Sequence, residues 1–347
     1  MGEPFDEPEP ITFEQAIAET VDQTRYLLLG NGFSIAARGS FSYPSLFRRA
    51  GPFSEPVSAL FQDLETEDFE RVLDALKPRV EDIAAPPSVR QEWKRQEDEV
   101  RAAFIQAVQR VHPDNAALMG RDECEQCITS FLEHFVGRRR PFRKIGRIYT
   151  TNYDLLLYWV LARSGRRLLC YDSHISPVDD KRYGLWEPEK PPGLVYLHGA
   201  LHVYERPGGG QAMLRYDGQR SLIAQAKGRL DRGSFPAIVS EGTSEAKAAR
   251  IARSAYLKWG LKFLRSGLRD RGGVLFTYGH SLDDRDEHLL RHVGTGRIGA
   301  IYIGAFGGLE AQEATIRRWM ERWRDARGAG PGLRVYVYDT KTFSPWK

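Results

Sequence analysis

An α/β fold, in which helices flank a parallel sheet, is predicted for this chain of 347 residues. Two short runs, Val274–Tyr278 and Ala300–Gly304, are mostly apolar, as is typical of strands that are buried on both faces of a parallel sheet. Segments with helical periodicity separate the apolar runs, and such alternation favours parallel strands joined by right-handed crossovers. The composition, with 41% hydrophobic and 28% charged residues, is that of a globular protein. Together these observations predict a Rossmann-like sheet.

The first half of the chain contains one predicted strand and a long helical segment. The strand is Tyr26–Leu29, an apolar run that ends at a glycine. Between residues 55 and 140, apolar residues recur at three- and four-residue spacing, which predicts amphipathic helices. Their two predicted buried stripes consist of Phe69, Val72, Leu73 and Leu76, and of Val100, Phe104, Ala107, Val108 and Val111. We therefore expect residues 1–347 to form a single domain, with residues 55–140 as a helical insertion within it.

Strands and helices alternate in the second half of the chain. The further predicted strands are Arg147–Thr151, Arg167–Tyr171, Leu194–Leu197, Ala237–Ser240 and Arg334–Tyr338. The predicted helices span residues 154–165, 245–268, 286–293 and 312–326. A glycine-rich hairpin or loop is expected at residues 205–214.

The charge and hydropathy of the sequence do not indicate a nucleic-acid or membrane partner. The 50 basic and 46 acidic residues leave a net charge of +4, which is too small to require nucleic acid. One dense basic run, at residues 137–147, suits phosphates, but such runs are also common in solvated loops. No stretch reaches the roughly 18 consecutive apolar residues of a membrane helix, and the acidic N-terminus lacks the apolar core of a secretory signal.

The cysteines and histidines predict neither a disulfide framework nor a metal site. Cys124, Cys127 and Cys170 are few and odd in number, which fits a reducing cytoplasm, where we expect the protein to act. Zinc would need a second cysteine pair or histidines at matching spacing, and the sequence offers neither. His288 and His292 share a helix face, but the glutamate of an HExxH motif is missing.

Four predicted strands end in glycine-rich or polar segments. These are residues 30–34 (GNGFS), 150–154 (TTNYD), 197–199 (LHG) and 279–284 (GHSLDD). Ligands of parallel sheets bind beyond the carboxyl ends of the strands. We therefore expect the four segments to surround one site.

In the first segment, Gly30 and Gly32 permit a tight turn and a close approach of the backbone to a ligand. The helix that follows would present its free N–H groups to a phosphate. An ordinary turn between a strand and a helix explains the same glycines, and Ile35 stands in place of the third glycine of a dinucleotide motif. The segment alone leaves both interpretations open.

The second and third segments contain candidate catalytic residues. The Asn152 carboxamide can donate and accept, which suits a water molecule or a sugar hydroxyl, while Asp154 also suits the cap of the next helix. His198 can accept a proton near physiological pH, and Gly199 leaves room for a substrate beside it. A histidine in such a position is also commonly structural, and His202 is an alternative candidate.

In the fourth segment, Gly279, Ser281 and Asp283 suit a ribose, whose hydroxyls need small neighbours and good acceptors. Asp284 and Asp286 are interpreted as acidic residues that favour the N-terminus of the next helix. An aspartate-capped helix is the alternative explanation of the whole segment.

The order of the four segments resembles that of the sirtuin-like superfamily, in which GAG-x-S, TQN-x-D, HG and GTS follow one another. The sequence is most similar to a bacterial branch that was long described only as a domain of unknown function, and whose relatives act as NAD hydrolases in anti-phage defence. The resemblance covers most of the chain, including residues 66–70 and 240–244. It implies a sirtuin-like fold and an effector of anti-phage defence that cleaves NAD to nicotinamide and ADP-ribose.

The resemblance also implies a role for each matching residue. The pyrophosphate and adjacent ribose of NAD would be held by Gly30, Asn31, Gly32, Phe33 and Ser34. The other residues implied in binding NAD are Thr151, Asp154, Gly199, Gly279, His280, Ser281 and Asp283. Asn152 and His198 are implied as catalytic residues, the first to orient the nicotinamide ribose or the attacking water and the second as general base.

The sequence departs from the superfamily pattern in ways that narrow the expected activity. Thr151 replaces the usual glutamine, and His280 replaces a threonine. The four-cysteine zinc module of protein deacetylases is missing, so deacetylation is not supported. NAD is expected as a substrate, with no cofactor and no metal, and a homo-oligomer or a partner protein is expected to control its cleavage. The alternative is a non-catalytic module that senses NAD or ADP-ribose.

Overall fold

The computed structural model describes residues 7–114, 118–137, 145–164, 167–168, 175–177, 183–186, 193–205, 211–214, 221–232, 234–239, 242–328, 330 and 332–347. The strands in these ranges are β1 (Glu9–Pro10), β2 (Thr24–Leu29), β3 (Ile148–Thr150), β4 (Ile175–Pro177), β5 (Tyr183–Trp186), β6 (Leu194–Tyr196), β7 (Val203–Glu205), β8 (Gln211–Leu214), β9 (Gly273–Tyr278), β10 (Ala300–Ala305) and β11 (Arg334–Asp339). The helices are α1 (Phe13–Glu19), α2 (Asn31–Ala37), α3 (Tyr43–Ala50), α4 (Glu55–Asp63), α5 (Phe69–Glu81), α6 (Pro87–Val111), α7 (Arg121–Gln126), α8 (Glu133–Val136), α9 (Leu156–Ser164), α10 (Leu222–Leu230), α11 (Ser244–Arg253), α12 (Ala255–Leu268), α13 (Glu287–Gly294) and α14 (Gly308–Arg327). None of the helices in the described ranges combines the length and the hydropathy that a membrane span requires.

Seven strands form one parallel sheet in the order β1–β11–β10–β9–β2–β3–β6. The chain builds one half outward from β2 through β3 and β6, and then crosses to the other side of β2 to add β9, β10 and β11. Apart from the short β1, this is the strand order of a Rossmann sheet. The predicted Rossmann-like α/β fold is therefore confirmed. The order reverses between β2 and β9, which is where sheets of this kind bind ligands.

The central strands lie in the core of the molecule. Every residue of β2, β9 and β10 is buried, as predicted from their apolar runs. The rings of Phe276, Tyr302 and Tyr336 stack across three neighbouring strands, with centroids 4.5 and 4.8 Å apart. Because close-packed cores deform little, this packing fixes the positions of the strand ends.

The helices between β2 and β3 bury the apolar stripes that their periodicity predicts. The buried residues are Phe69, Val72, Leu73 and Leu76 of α5, and Val100, Phe104, Ala107 and Val108 of α6. Val111, the last residue of α6, is only half-buried. Helix α6 packs against both α5 and α3, so these three helices form one group beside the sheet.

A second, antiparallel sheet has the order β4–β5–β8–β7. Strands β7 and β8 pair with each other, as expected for the hairpin predicted at residues 205–214. Residues 206–210 between them lie outside the described ranges. The sequence did not predict β4 and β5, because strands of three and four residues show too little periodicity to be recognised.

Two predicted elements differ from the structure. The strand predicted at Ala237–Ser240 is wrong over the described part of that segment, where Ile238 forms only an isolated bridge. The helix predicted at residues 245–268 is divided at Ser254, whose hydroxyl accepts a backbone hydrogen bond and caps α12. The strand predicted at Arg167–Tyr171 lies largely outside the described residues.

Candidate functional site

A cavity of about 390 Å³ lies where β2, β3 and β9 end. The predicted site residues that line it are Gly30, Asn31, Gly32, Thr151, Asn152, Asp154, His198, Gly279, His280, Ser281 and Asp283. The apolar part of its wall consists of Ile35, Phe41, Leu46, Phe104 and Val108. Apolar walls with a few convergent polar groups are typical of sites for small molecules. The structure thus brings residues of all four predicted segments to one cavity.

Three predicted site residues do not line this cavity. Phe33 is buried in the core, where its ring centroid lies 4.8 Å from that of Trp346. Ser34 lies behind the cavity wall, in contact with wall residues. Gly199 has φ +76°, and a Cβ there would lie 1.6 Å from the carbonyl oxygen of Ala237. The expectation that Gly199 leaves room for a substrate is therefore wrong, because the neighbouring backbone requires this glycine.

The glycines of the first and fourth segments allow two loops to touch. The N–H of Gly32 donates to the carbonyl oxygen of Gly279 at 2.8 Å. A Cβ on Gly30 would lie 2.5 Å from the same oxygen, and Gly279 itself has φ +66°. These contacts lie at the reversal of the strand order, between β2 and β9. Close packing of the two loops is thus a sufficient reason for the glycines, before any ligand is considered.

Asn152, Ser34 and Asp154 form a chain of hydrogen bonds whose direction follows from the donors available. Ser34 donates its one hydroxyl proton to Asp154 Oδ2 at 2.5 Å, so it accepts from Asn152 Nδ2 at 2.9 Å. The amide nitrogen of Asn152 is thereby turned toward Ser34. Its oxygen, Oδ1, is buried and has no hydrogen-bond partner among the described residues. An unsatisfied buried acceptor costs about 1–3 kcal/mol, so a donor on a ligand would bind favourably here.

Asp154 has a capping role as well. Its Oδ1 atom accepts from the N–H of Leu156 at 2.8 Å, while Oδ2 accepts from Ser34. The N–H of Leu155 donates to Nε2 of the buried His112 at 2.8 Å. The turn between β3 and α9 is therefore fixed from two sides, and the capping explanation of Asp154 holds.

Asp286 lies at the centre of a largely buried group of charges. Its Oδ1 atom is 3.0 Å from Lys247 Nζ, and its Oδ2 atom is 3.4 Å from His280 Nε2. The N–H of Leu282 donates to His280 Nδ1, so Nδ1 is an acceptor and Nε2 is the ring nitrogen that faces Asp286. Burial alone would raise the pKa of Asp286, but His280 and Lys247 hold it well below the usual range. Asp286 stands at the N-cap position of α13, where an acidic residue is predicted, but its side chain makes no capping bond and belongs to this charged group instead.

Lys247 connects Asp286 to helix α5. Its Nζ atom also lies 3.0 Å from Glu70 Oε2, and the residue is only 3% exposed. Glu70 Oε1 accepts from the hydroxyl of Tyr43 at 3.0 Å and lies 3.1 Å from that of Tyr153. Burial lowers the pKa of Lys247, but the two carboxylates outweigh that effect and raise it, so the ammonium stays charged. The Glu70–Lys247–Asp286 cluster therefore has two negative charges and one positive charge.

His198 faces a second histidine. Its Nε2 atom lies 3.0 Å from His288 Nε2 and 3.8 Å from Asp286 Oδ1. Burial lowers the pKa of His198 well below its usual range, although Asp286 acts in the opposite direction. Burial also lowers the pKa of His288 to about 4. Both rings are therefore neutral near neutral pH, which is the state that a general base requires.

Arg285 forms a second charged group at the cavity wall. It donates to Asp68 Oδ2 at 2.8 Å, and its Nε atom lies 3.2 Å from Asp283 Oδ1. Asp283 also accepts from the backbone N–H of Arg285, and Asp68 caps α5. The capping explanation thus holds for Asp283, and the same residue also lines the cavity. Asp284 instead contacts Arg322 at the surface.

The cavity lining carries more negative than positive charge. Its carboxylates are Asp68, Glu70, Asp154, Asp283 and Asp286, and its cationic side chains are Lys247 and Arg285. An excess of carboxylates favours positive charge on the part of a ligand that lies beside them. An anionic part of the same ligand would depend on backbone N–H groups.

Sequence reasoning missed Glu70, Lys247, Asp286 and Arg285 as members of the site. Glu70 and Lys247 stand in the first turns of helices, and Asp286 directly precedes one. Charged residues are common at such positions on solvated surfaces. The match at residues 66–70 included Glu70 but gave it no role. No spacing in the sequence indicates that these residues meet in the interior.

The remaining candidates from the sequence lie elsewhere. Cys124 and Cys127 are buried free thiols, and burial raises the pKa of both. Cys170 and residues 138–144 of the basic run lie outside the described ranges. His292 is half-buried, and its Nε2 atom has no hydrogen-bond partner within the described part of the chain.

The fold and the site together define a Rossmann-like α/β protein with a ligand-sized cavity at the reversal of its strand order. The chain belongs to the family called domain of unknown function DUF4917, whose model matches residues 27–346 and so includes all four segments. A solved structure titled "Crystal structure of a Sir2 homolog-NAD complex" is 12% identical, with a TM-score of 0.37, and the match covers 92% of this chain and 98% of that one. No curated protein shows significant similarity to the chain.

Proposed function

We propose that this protein is an NAD hydrolase that cleaves the nicotinamide–ribose bond and releases nicotinamide and ADP-ribose. The observation that supports this most directly is that Asn152, whose buried Oδ1 atom has no hydrogen-bond partner among the described residues, lines the same cavity as His198 with its neutral imidazole. The identity of the ligand rests on the order of the four sequence segments, which resembles that of sirtuin-like NAD hydrolases.

The proposed reaction needs one oriented water molecule and one base. Bonds of this type break through an oxocarbenium-like state, with the electron pair of the C–N bond passing to the nicotinamide ring. Asn152 Oδ1 accepts a hydrogen bond from the attacking water or from a ribose hydroxyl. His198 takes the proton that water loses as its oxygen bonds to the anomeric carbon. The products are neutral nicotinamide, ADP-ribose and one proton.

The charge of the cavity supports the same chemistry. The nicotinamide ring is cationic before cleavage, and positive charge moves onto the ribose as the bond breaks. The Glu70–Lys247–Asp286 cluster and Asp154 give this cavity an excess of negative charge. A preorganised negative field stabilises positive charge as it develops in the transition state.

We further propose that the hydrolase acts in the cytoplasm as an NAD-depleting effector of bacterial anti-phage defence. Because unregulated NAD cleavage would harm the cell that makes it, a homo-oligomer or a partner protein is proposed to control the site. Assays of NAD loss across size-exclusion fractions test this control, and we expect higher turnover in assembled fractions than in the monomer. A fully active monomer that cells tolerate without a partner would contradict it.

The central experiment is incubation of the pure protein with NAD, followed by chromatography for nicotinamide and ADP-ribose. We expect both products in equal amounts. The alternative is a non-catalytic module that senses NAD or ADP-ribose, and it predicts binding of ADP-ribose in calorimetry with no release of nicotinamide from any assembly state. The absence of both binding and cleavage would reject the two functions together.

A further inference from the structure

Three potential metal ligands meet at the wall of the cavity. His198 Nε2 lies 3.0 Å from His288 Nε2 and 3.8 Å from Asp286 Oδ1, and all three atoms are within 4.8 Å of one another. His198 and Asp286 both line the cavity, so an ion has a path to them. The sequence did not indicate this group, because the three residues come from two separate segments and share no metal-ligand spacing.

The spacing of the donors suits a transition-metal ion. Imidazole nitrogens and carboxylate oxygens bind Zn²⁺ at about 2.0–2.2 Å, so two ligand atoms on one tetrahedral ion lie about 3.3 Å apart. The distances of 3.0 and 3.8 Å fall on either side of this value. All three ligand atoms lie within 4.8 Å of one another, so the widest pair must close by up to about 1.5 Å to bind one tetrahedral ion.

The facing imidazoles and the charge of the group also favour a cation. A metal ion binds the lone pair of an imidazole nitrogen, and the Nε2 atoms of the two buried rings face each other at 3.0 Å. The Glu70–Lys247–Asp286 cluster holds one more negative than positive charge in a largely buried place. Lys247 competes for the carboxylate of Asp286, so the bound ion is expected to exchange freely.

We propose that His198, Asp286 and His288 form a reversible site for a divalent transition-metal ion. A second part of the proposal concerns the effect of the ion on activity, and this part rests on the proposed function. An ion at this site suppresses NAD cleavage, because it occupies a nitrogen of the imidazole that serves as base. Binding itself does not depend on any activity toward NAD.

The test titrates the full chain, freed of metal by a chelator, with Co²⁺ alone. We expect one ion per chain and the visible bands of four-coordinate Co²⁺ without a thiolate charge-transfer band. His288→Gln should weaken binding at least about 10-fold, since even residues that only support a ligand contribute that much. The matched control is His292→Ala on the same helix, which should bind as the unchanged protein does.

A spectrum of the unchanged protein makes the test independent of any folding defect in the variants. X-ray absorption of the bound ion should show two imidazole ligands and no sulfur. Failure to bind Co²⁺, equal affinity in His288→Gln, or sulfur ligands from Cys124 and Cys127 would each overturn the proposal.

If the protein releases nicotinamide from NAD, Zn²⁺ should inhibit that release and a chelator should restore it. Metal binding without NAD cleavage in any assembly state would reject the proposed function and leave the metal site standing.

Discussion

Lys247 Nζ lies 3.0 Å from Asp286 Oδ1 and 3.0 Å from Glu70 Oε2, so one buried ammonium joins three segments that are far apart in sequence. Glu70 stands in the first turn of α5, Lys247 in that of α11, and Asp286 at the start of α13. A buried charge is tolerated only where it is paired, so each carboxylate depends on this lysine. The same contacts hold Asp286 beside His198.

We therefore expect Lys247→Met to lower the free energy of unfolding by about 3–5 kcal/mol, because it leaves two carboxylates without their cation. The matched control is Lys258→Met, at an exposed position of α12, which should change stability little. Urea denaturation of the three proteins measures the difference. Equal stabilities of the two variants would show that the buried pairs contribute nothing.

Gly30→Ala tests the contact between the two loops at the reversal of the strand order. The added Cβ would lie 2.5 Å from the carbonyl oxygen of Gly279, and overpacking of this kind costs about 1–3 kcal/mol. Gly39→Ala is the control, because a Cβ there has no neighbour within 4 Å. Thermal unfolding should show a lower Tm for the first variant only. If Gly30→Ala kept its Tm and lost only ADP-ribose binding, a ligand would be the reason for the glycine.

The sequence predicted the sheet well because its central strands have a strong pattern. Strands β9 and β10 are buried throughout, so almost every position in them must be apolar. A short run of this kind is typical of strands that are buried on both faces of a parallel sheet. The strand ends could also be assigned to one site, since the parallel topology brings them to one edge. His198 and Asn152 reached the cavity for this reason.

The sequence could not predict the contacts between side chains of distant segments. Lys247 and Glu70 look like ordinary residues of solvated first turns, and only the fold shows that they are buried together. Gly199 was expected to leave room for a substrate, and for Gly30 a ligand and an ordinary turn were both possible reasons. The structure supplies another reason, a neighbouring backbone, which no local pattern reveals.

Acid should weaken the folded state through the buried histidines. Burial lowers the pKa of His288 to about 4, from 6.5 in the unfolded chain. Between these values the unfolded chain binds a proton that the folded protein does not, so stability is full above pH 6.5 and falls as the pH approaches 4. The slope is about 1.4 kcal/mol per pH unit for one histidine. In urea denaturation, His288→Gln should show a shallower pH dependence, and an unchanged slope would contradict the neutral state of His288.

His198→Ala and Asn152→Ala should each abolish most NAD cleavage. Loss of a positioned general base typically costs about 10²–10⁴ in rate, and Asn152 carries the unsatisfied acceptor that the proposed reaction uses. His292→Ala is the control for the removal of a histidine. Single-turnover release of nicotinamide measures the rate, and circular dichroism checks the fold. If His198→Ala cleaved NAD at close to the unchanged rate, another residue would have to be the base.

Ser34→Ala isolates the orientation of the Asn152 amide from its presence. Ser34 donates to Asp154 and accepts from Asn152, and it does not itself line the cavity. Without this hydroxyl, Asn152 Nδ2 loses its acceptor and the amide can turn, so its oxygen is no longer held in one orientation. We expect kcat for NAD cleavage to fall by about 10-fold or more, in line with the penalty for misplaced reacting groups, while KM changes little. Ser45→Ala is the control, because the Ser45 hydroxyl pairs with Ser42 and the residue does not line the cavity. A higher KM with unchanged kcat would instead assign Ser34 to substrate binding. No change in either constant would show that the amide is oriented by other means.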